Sequence, residues 1–356
     1  MTGELTQLNH YGYYLFLGLG DFDVPPVLGP EWTSTWDLRT WQERLDRLVS
    51  LGTNTLFVYL MGHALPYASA RFPECVDVRH PNAKAEFFQQ VVNWCVDRGI
   101  FLVAVFSTTG HAEGYTSRHP ELAICDREGH PQVQSGIMCH HKEGARRYCL
   151  GVIEECLTRY RGFAGVILHP PEFWRPCFCD ACQEEFRAAH GKSLLSATDQ
   201  EAKRFFMATS LRFQRSALET SIRRYVPEVR LFTFPIPWVF EQEFEQIAKE
   251  IDLHTVIVDW DYDLREERIQ RLPARLWREQ QFGHEVWFMP TSGFAFSKER
   301  SASEQAELVL KQVEAALAVG IRDIVYFMGP TWWPTVEETS YYLCKTRGPN
   351  RKAKGG

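Results

Sequence analysis

Residues 54–63 read NTLFVYLMGH, and residues 86–111 read EFFQQVVNWCVDRGIFLVAVFSTTGH. The first stretch is a short apolar run rich in β-branched and aromatic side chains, bounded by turn residues, so it reads as a strand buried on both faces. In the second, Phe87, Val91, Trp94 and Cys95 recur at helical spacing and Gly99 stops the helix. Another apolar run then begins at Ile100. Strand, helix and strand in succession make a unit whose two strands run parallel.

Working outward, the same alternation fills the chain. The apolar runs are YYLFLGLGDF from Tyr13, NTLFVYLMGH from Asn54, IFLVAVFSTTGH from Ile100, GVILHPPE from Gly165, VRLFTFPIPW from Val229, HTVIVDWDYD from His254, EVWFMPTSGF from Glu285 and DIVYFMGPTWW from Asp323. Leu38, Trp41, Leu45 and Leu48 share a face of the first helix, which Gly52 ends. Further helical patterns run over 144–160, 199–225, 240–250, 264–281, 303–319 and 336–345. Eight such units predict an α/β fold, a single (β/α)8 TIM barrel over residues 1–346. The long connections follow strand three (110–142) and strand four (173–197), and residues 347–356 form a basic, disordered tail. An open eight-stranded sheet is the alternative, but no glycine-rich phosphate fingerprint follows any strand.

Composition narrows the partners. With 45% hydrophobic residues and a formal charge of -6, the chain can bury a large core but has no overall positive field for nucleic acid or anionic lipid. No apolar run reaches membrane-spanning length, and MTGELTQLNH lacks the basic start and apolar stretch of a secretory leader, so a cytoplasmic location is expected. Homo-oligomers are compatible with this composition. The 10 cysteines are scattered apart from one group, which suits reduced thiols and a metal site better than a disulfide scaffold.

In a barrel of this kind, polar residues at the C-terminal ends of the strands converge on one cavity. Those ends carry Asp21 and Asp23, then His63, His111 and Glu113, His169 and Glu172, and Trp238. Farther along come Asp259, Trp260 and Asp261, then Thr291 and Ser292, and finally Trp332 and Trp333. Two opposed carboxylates in a pocket walled by aromatic rings are what glycosidic cleavage needs: one acid protonates the leaving oxygen, and the other attacks or activates water. Glu172 is the expected general acid, because HPPE sets it just beyond strand four on a backbone stiffened by two prolines. Asp259 is the first candidate for its partner; Asp261, two residues on, faces the same way, with Asp21 and Glu113 as further candidates. His63, His111 and His169 would bind sugar hydroxyls, and Trp238, Trp260 and Trp332 would stack on sugar rings. Helix capping by Asp261 or Asp263 and core packing of each Trp are the structural alternatives.

Cys177, Cys179 and Cys182 form a C-x-C-x-x-C group suited to one tetrahedral ion, with the fourth ligand supplied from elsewhere. Together with Glu172 after strand four, this group resembles the zinc-containing β-galactosidases of glycoside hydrolase family 42. The resemblance implies a structural zinc held by Cys139, Cys177, Cys179 and Cys182, Cys139 coming from MCHHKEGARRY after strand three. Cys125, His140 and His141 are alternatives for the fourth position, and Cys139 can equally be a buried apolar thiol. The nucleophilic Glu that this family carries at the end of strand seven has no counterpart in EVWFMPTSGF, where the sole acid, Glu285, is at the wrong end. The family-20 hexosaminidases are also similar in needing only an acid Glu after strand four, the substrate's acetamido group attacking; they have an Asp before that Glu, where this chain has Pro171.

The expected function is thus hydrolysis of a small glycoside or oligosaccharide. Two other readings use the same residues. One is a metal-dependent hydrolase or lyase in which His63, His111, His169, Glu113 and Asp259 ligate a divalent ion, although no HxH pair follows strand one and no H-E-x-x-H motif occurs. The other is a catalytically inactive barrel that binds carbohydrate.

Overall fold

A computed structural model describes residues 8–15, 37–62, 64–76, 86–169, 175–234, 251–290 and 301–328. Eight parallel strands close into a barrel in sequence order: β1 (His10–Leu15), β2 (Thr55–Met61), β3 (Phe101–Ser107), β4 (Gly165–His169), β5 (Arg230–Thr233), β6 (Val256–Asp261), β7 (Val286–Pro290) and β8 (Asp323–Met328). Strand β8 pairs back onto β1, with His10 opposite Asp323, so the sheet has no free edge.

The helices form where the apolar spacing predicts them. Helix Leu38–Ser50 starts at Asp37, whose carboxylate accepts from the Thr40 amide, and it buries Trp41, Leu45 and Leu48. Helix Phe87–Asp97 buries Phe87, Val91, Trp94 and Cys95. Gly52 and Gly99 follow these two helices with φ of 99° and 65°, the left-handed conformation that glycine adopts without a Cβ clash. The pattern over 199–225 is one long helical run containing a π-helical segment, Gln214–Glu219. Helix Asp180–His190 lies within the connection after β4. The patterns at 240–250 and 336–345 lie outside the described residues.

Two apolar layers result from alternation along each strand. The barrel interior is filled by Tyr14, Phe57, Val103, Ile167, Phe232, Val258, Trp287, Val325 and their neighbours. The alternate residues, including Ile257, pack outward against the helices. The interior is crowded with rings: Trp287 lies 4.9 Å from Phe232 and 6.1 Å from Phe57, centroid to centroid. Gly165 makes room for them, since a Cβ there would come within 2.6 Å of the Phe232 ring. This is a packed core rather than a pore, and in this fold sites are built above such a core, at the C-terminal ends of the strands.

Candidate functional site

At that end, β3 and β4 bring two of the expected histidines together. The His111 and His169 rings lie 5.3 Å apart, edge to face, and His169 also packs 4.9 Å from Phe234 and 6.2 Å from Tyr59. His111 has φ of 52°, and among the described residues it is the one non-glycine residue in the left-handed region. Such backbone persists where its surroundings hold it, and these surroundings do. The Ala112 amide donates to the Gly136 carbonyl (2.9 Å), and the Met138 amide donates to that of Thr109 (2.7 Å). The buried His140 ring lies with Nε2 2.6 Å from the Thr108 carbonyl, and burial lowers its pKa to about 4, so it is neutral near pH 7.

A second group of side chains at this end is aromatic. Trp260 and Tyr262 belong to the inward face of β6 and its extension, with ring centroids 4.6 Å apart, and Tyr262 stacks on Phe327 at 4.5 Å. Tyr14 joins this group to the histidines, at 5.6 Å from Phe327, 5.7 Å from Phe234 and 5.9 Å from Tyr59. Trp260 thus lies on the inward face of β6. Tyr262, Tyr59 and Phe234 are contributors that reading missed; their alternation with Trp260, Phe57 and Phe232 along the strands was the available signal.

Asp259 and Asp261 are a correction. They do face the same way, but that way is outward, because Val256, Val258 and Trp260 point into the barrel. Asp259 is 0% exposed and takes two hydrogen bonds from Arg275, from Nε and Nη2, each 2.9 Å. Asp261 accepts from Arg275 Nη1 at 2.9 Å and lies 3.4 Å from Arg268. Both arginines come from helix Glu266–Gln280, so the cluster is sealed between sheet and helix. Burial works against the Arg275 charge, yet the two carboxylates raise its pKa above the usual value. Burial first, then the Asp259 charge, pushes the Glu279 carboxyl well above its usual pKa. Neither aspartate can oppose an acid across the cavity, and Asp259 cannot join His111 and His169 around one ion.

The connections after β3 and β4 are joined by the cysteines. Cys139 Sγ lies 3.5 Å from Cys182 Sγ and 3.8 Å from Cys179 Sγ, and with Cys177 all four sulfurs fall within 4.8 Å of one another. Among the described residues this is the one group of His, Cys, Asp or Glu so arranged, and it can hold a metal ion. The alternative fourth ligands have other partners. The Cys125 amide donates to Cys177 Sγ at 3.3 Å while its own sulfur accepts from Lys142 (3.5 Å). His141 places Nδ1 3.5 Å from Cys182 Sγ and Nε2 2.8 Å from the Glu185 carboxylate. Both therefore surround the thiolate cage and support it. The Phe178 amide also donates to the Cys125 carbonyl (2.9 Å), and Arg127 crosses between the connections to the Leu195 and Ala197 carbonyls and over the Phe178 ring.

Glu113 stands two residues beyond His111, its carboxylate against Gly136, where a Cβ would come within 2.2 Å of the carboxyl carbon. Asp21, His63, Glu172, Trp238 and Trp332 lie outside the described residues, as do Asp23, Thr291, Ser292 and Trp333.

The fold is that of a TIM barrel, and solved structures with this architecture match over most of the chain. A β-galactosidase from Rahnella sp. R3 is 15% identical with a TM-score of 0.61, covering 87% of this chain and 55% of its own. A GH42 β-galactosidase from G. stearothermophilus is 13% identical with a TM-score of 0.61, covering 88% of this chain and 55% of its own. A chitobiase from Flavobacterium johnsoniae is 12% identical with a TM-score of 0.56, covering 94% of this chain and 48% of its own. At such identity the likeness establishes the fold, and this chain spans about half the length of these proteins. No family profile matches the sequence, and no curated protein is significantly similar. Among the described residues no helix is long and apolar enough to cross a membrane.

Proposed function

We propose that the protein is a glycoside hydrolase acting on a small glycoside or oligosaccharide, with Glu172 as the general acid. The observation that carries this reading is the C-terminal end of the barrel, which gathers His111 and His169 and, joined to them through Tyr14, the rings of Trp260, Tyr262 and Phe327. Flat apolar faces and imidazole hydrogen-bonding groups side by side suit a ring that is apolar on its faces and hydroxylated at its rim. His169 ends β4 three residues before Glu172, at the barrel level where catalytic groups of this fold sit. The glycoside hydrolases among the structural neighbours favour the same class of chemistry.

In this mechanism Glu172 donates its proton to the glycosidic oxygen as the bond to the anomeric carbon breaks, and a water completes the hydrolysis. The second carboxylate is Asp21, since Asp259 and Asp261 face away and Glu113 lines the pocket formed with the Gln132–Ile137 arm and Arg175. A panel of chromogenic glycosides tests the proposal: turnover of at least one is expected, and a panel left intact at high enzyme concentration would overturn it.

The metal is zinc in this reading, and its role is structural. A Zn–S distance of about 2.3 Å sets tetrahedral sulfurs roughly 3.8 Å apart, close to the separations from Cys139. Four thiolates leave no open position for a substrate, so zinc supplies shape and not chemistry. Elemental analysis is expected to find one zinc per chain, lost in Cys177→Ser, whose connections after β3 and β4 should become sensitive to protease. A Cys177→Ser protein that retains full zinc would sink the assignment.

A further inference from the structure

Beside the barrel mouth the two metal-joined connections enclose an open pocket of about 680 Å³, within the range of roughly 300–1,000 Å³ usual for small-ligand sites. One wall is the arm from Gln132 to Ile137, which is fixed to the end of β3 through the Ala112–Gly136 and Met138–Thr109 backbone bonds. Its other wall includes Arg175, three residues past Glu172 and two before Cys177. Gln132, Gln134 and Ser135 add amide and hydroxyl groups, and Glu113 adds a carboxylate.

The charges decide what fits. Arg175 is exposed and makes no ion pair among the described residues, although Glu113 lines the same pocket. A guanidinium and a carboxylate held apart in one cavity match a ligand with an anion at one end and hydroxyl donors at the other. A plain hexose would engage Glu113 and the amides but leave the guanidinium without a partner. We propose that this pocket is a subsite for an anionic sugar, one bearing a carboxylate or a sulfate ester, with Arg175 holding the anion and Glu113, Gln132 and Gln134 taking the hydroxyls. The inference rests on the glycosidase reading and specifies its substrate class: a glycan with an acidic unit.

Binding of galacturonate, galactose 6-sulfate and galactose to the zinc-loaded protein, followed by calorimetry or ligand-observed NMR, tests it without any need for turnover. At least one anionic sugar should bind about tenfold tighter than galactose, the scale of a charge-assisted hydrogen bond pair. That preference should shrink with added salt and vanish in Arg175→Gln, while galactose binding stays unchanged. Which anion binds tighter identifies the substituent. Equal affinity for all three sugars, no binding of any, or a preference that survives Arg175→Gln would overturn the subsite. If neutral and acidic glycosides are hydrolysed alike, the subsite fails and the glycosidase reading stands. If binding is anion-selective but no glycoside is hydrolysed, the subsite stands and the glycosidase reading fails.

Discussion

Arg275→Ala is expected to lose about 3–5 kcal/mol of unfolding free energy, the usual cost of removing one partner from a buried ion pair. The side chain is 10% exposed and forms three hydrogen bonds to Asp259 and Asp261, themselves 0% and 5% exposed. Without it, Asp259 faces the buried Glu279 carboxyl and no cation, while Asp261 keeps only the more distant Arg268. Urea denaturation measures the loss. Adding Asp259→Asn and Asp261→Asn to Arg275→Ala should recover part of it, because amides of the same shape carry no uncompensated charge. The outward orientation has a second consequence: Asp259→Asn alone, assayed where it is folded, should retain turnover. If turnover collapsed while the unfolding midpoint held, Asp259 would return to the chemistry.

Glu172→Gln is expected to cut turnover by roughly 10²–10⁴-fold with unfolding unchanged, the contribution typical of a positioned general acid. The amide preserves size but has no proton to give to the leaving oxygen. The loss should therefore depend on the leaving group: large for an alkyl glycoside, whose alkoxide must be protonated as it departs, and smaller for a dinitrophenyl glycoside, whose phenolate leaves unaided. Parallel kinetics on the two substrates checks this. Equal losses on both would assign Glu172 to binding instead, and undiminished rates would remove it from the mechanism.

The architecture was legible in the sequence because it rests on local pattern. Trp41, Leu45 and Leu48 are buried at the spacing that predicts their helix, and Gly52 and Gly99 sit where left-handed backbone ends a helix. The cysteine group was legible for the same reason, as three ligands lie within six residues. What could not be read was which face of β6 points inward. A strand buried on both faces lacks the polar and apolar alternation that would reveal it, so VIVDWD supports either orientation. The missing clue lay in the helix that follows. Arg268, Leu272, Arg275 and Glu279 recur at spacings of four, three and four, which sets charged residues into a buried stripe and requires buried partners on the strand beneath. The convergence of His111 and His169 was expected from strand ends alone, whereas the left-handed turn at His111 depends on contacts with residues 136 and 138 that no local pattern encodes.

The thiolate cage also has a bearing on the order in which the molecule assembles. Cys139 and Cys182 are 43 residues apart, and helix Glu143–Arg159 and β4 lie between them. Bringing such distant sulfurs together is entropically uphill until β4 has docked beside β3, so the cage that can hold an ion forms late, after this part of the sheet. Until then the thiols remain open to oxidants, which makes the newly synthesised chain, and not the folded protein, the stage most vulnerable to mispaired sulfur.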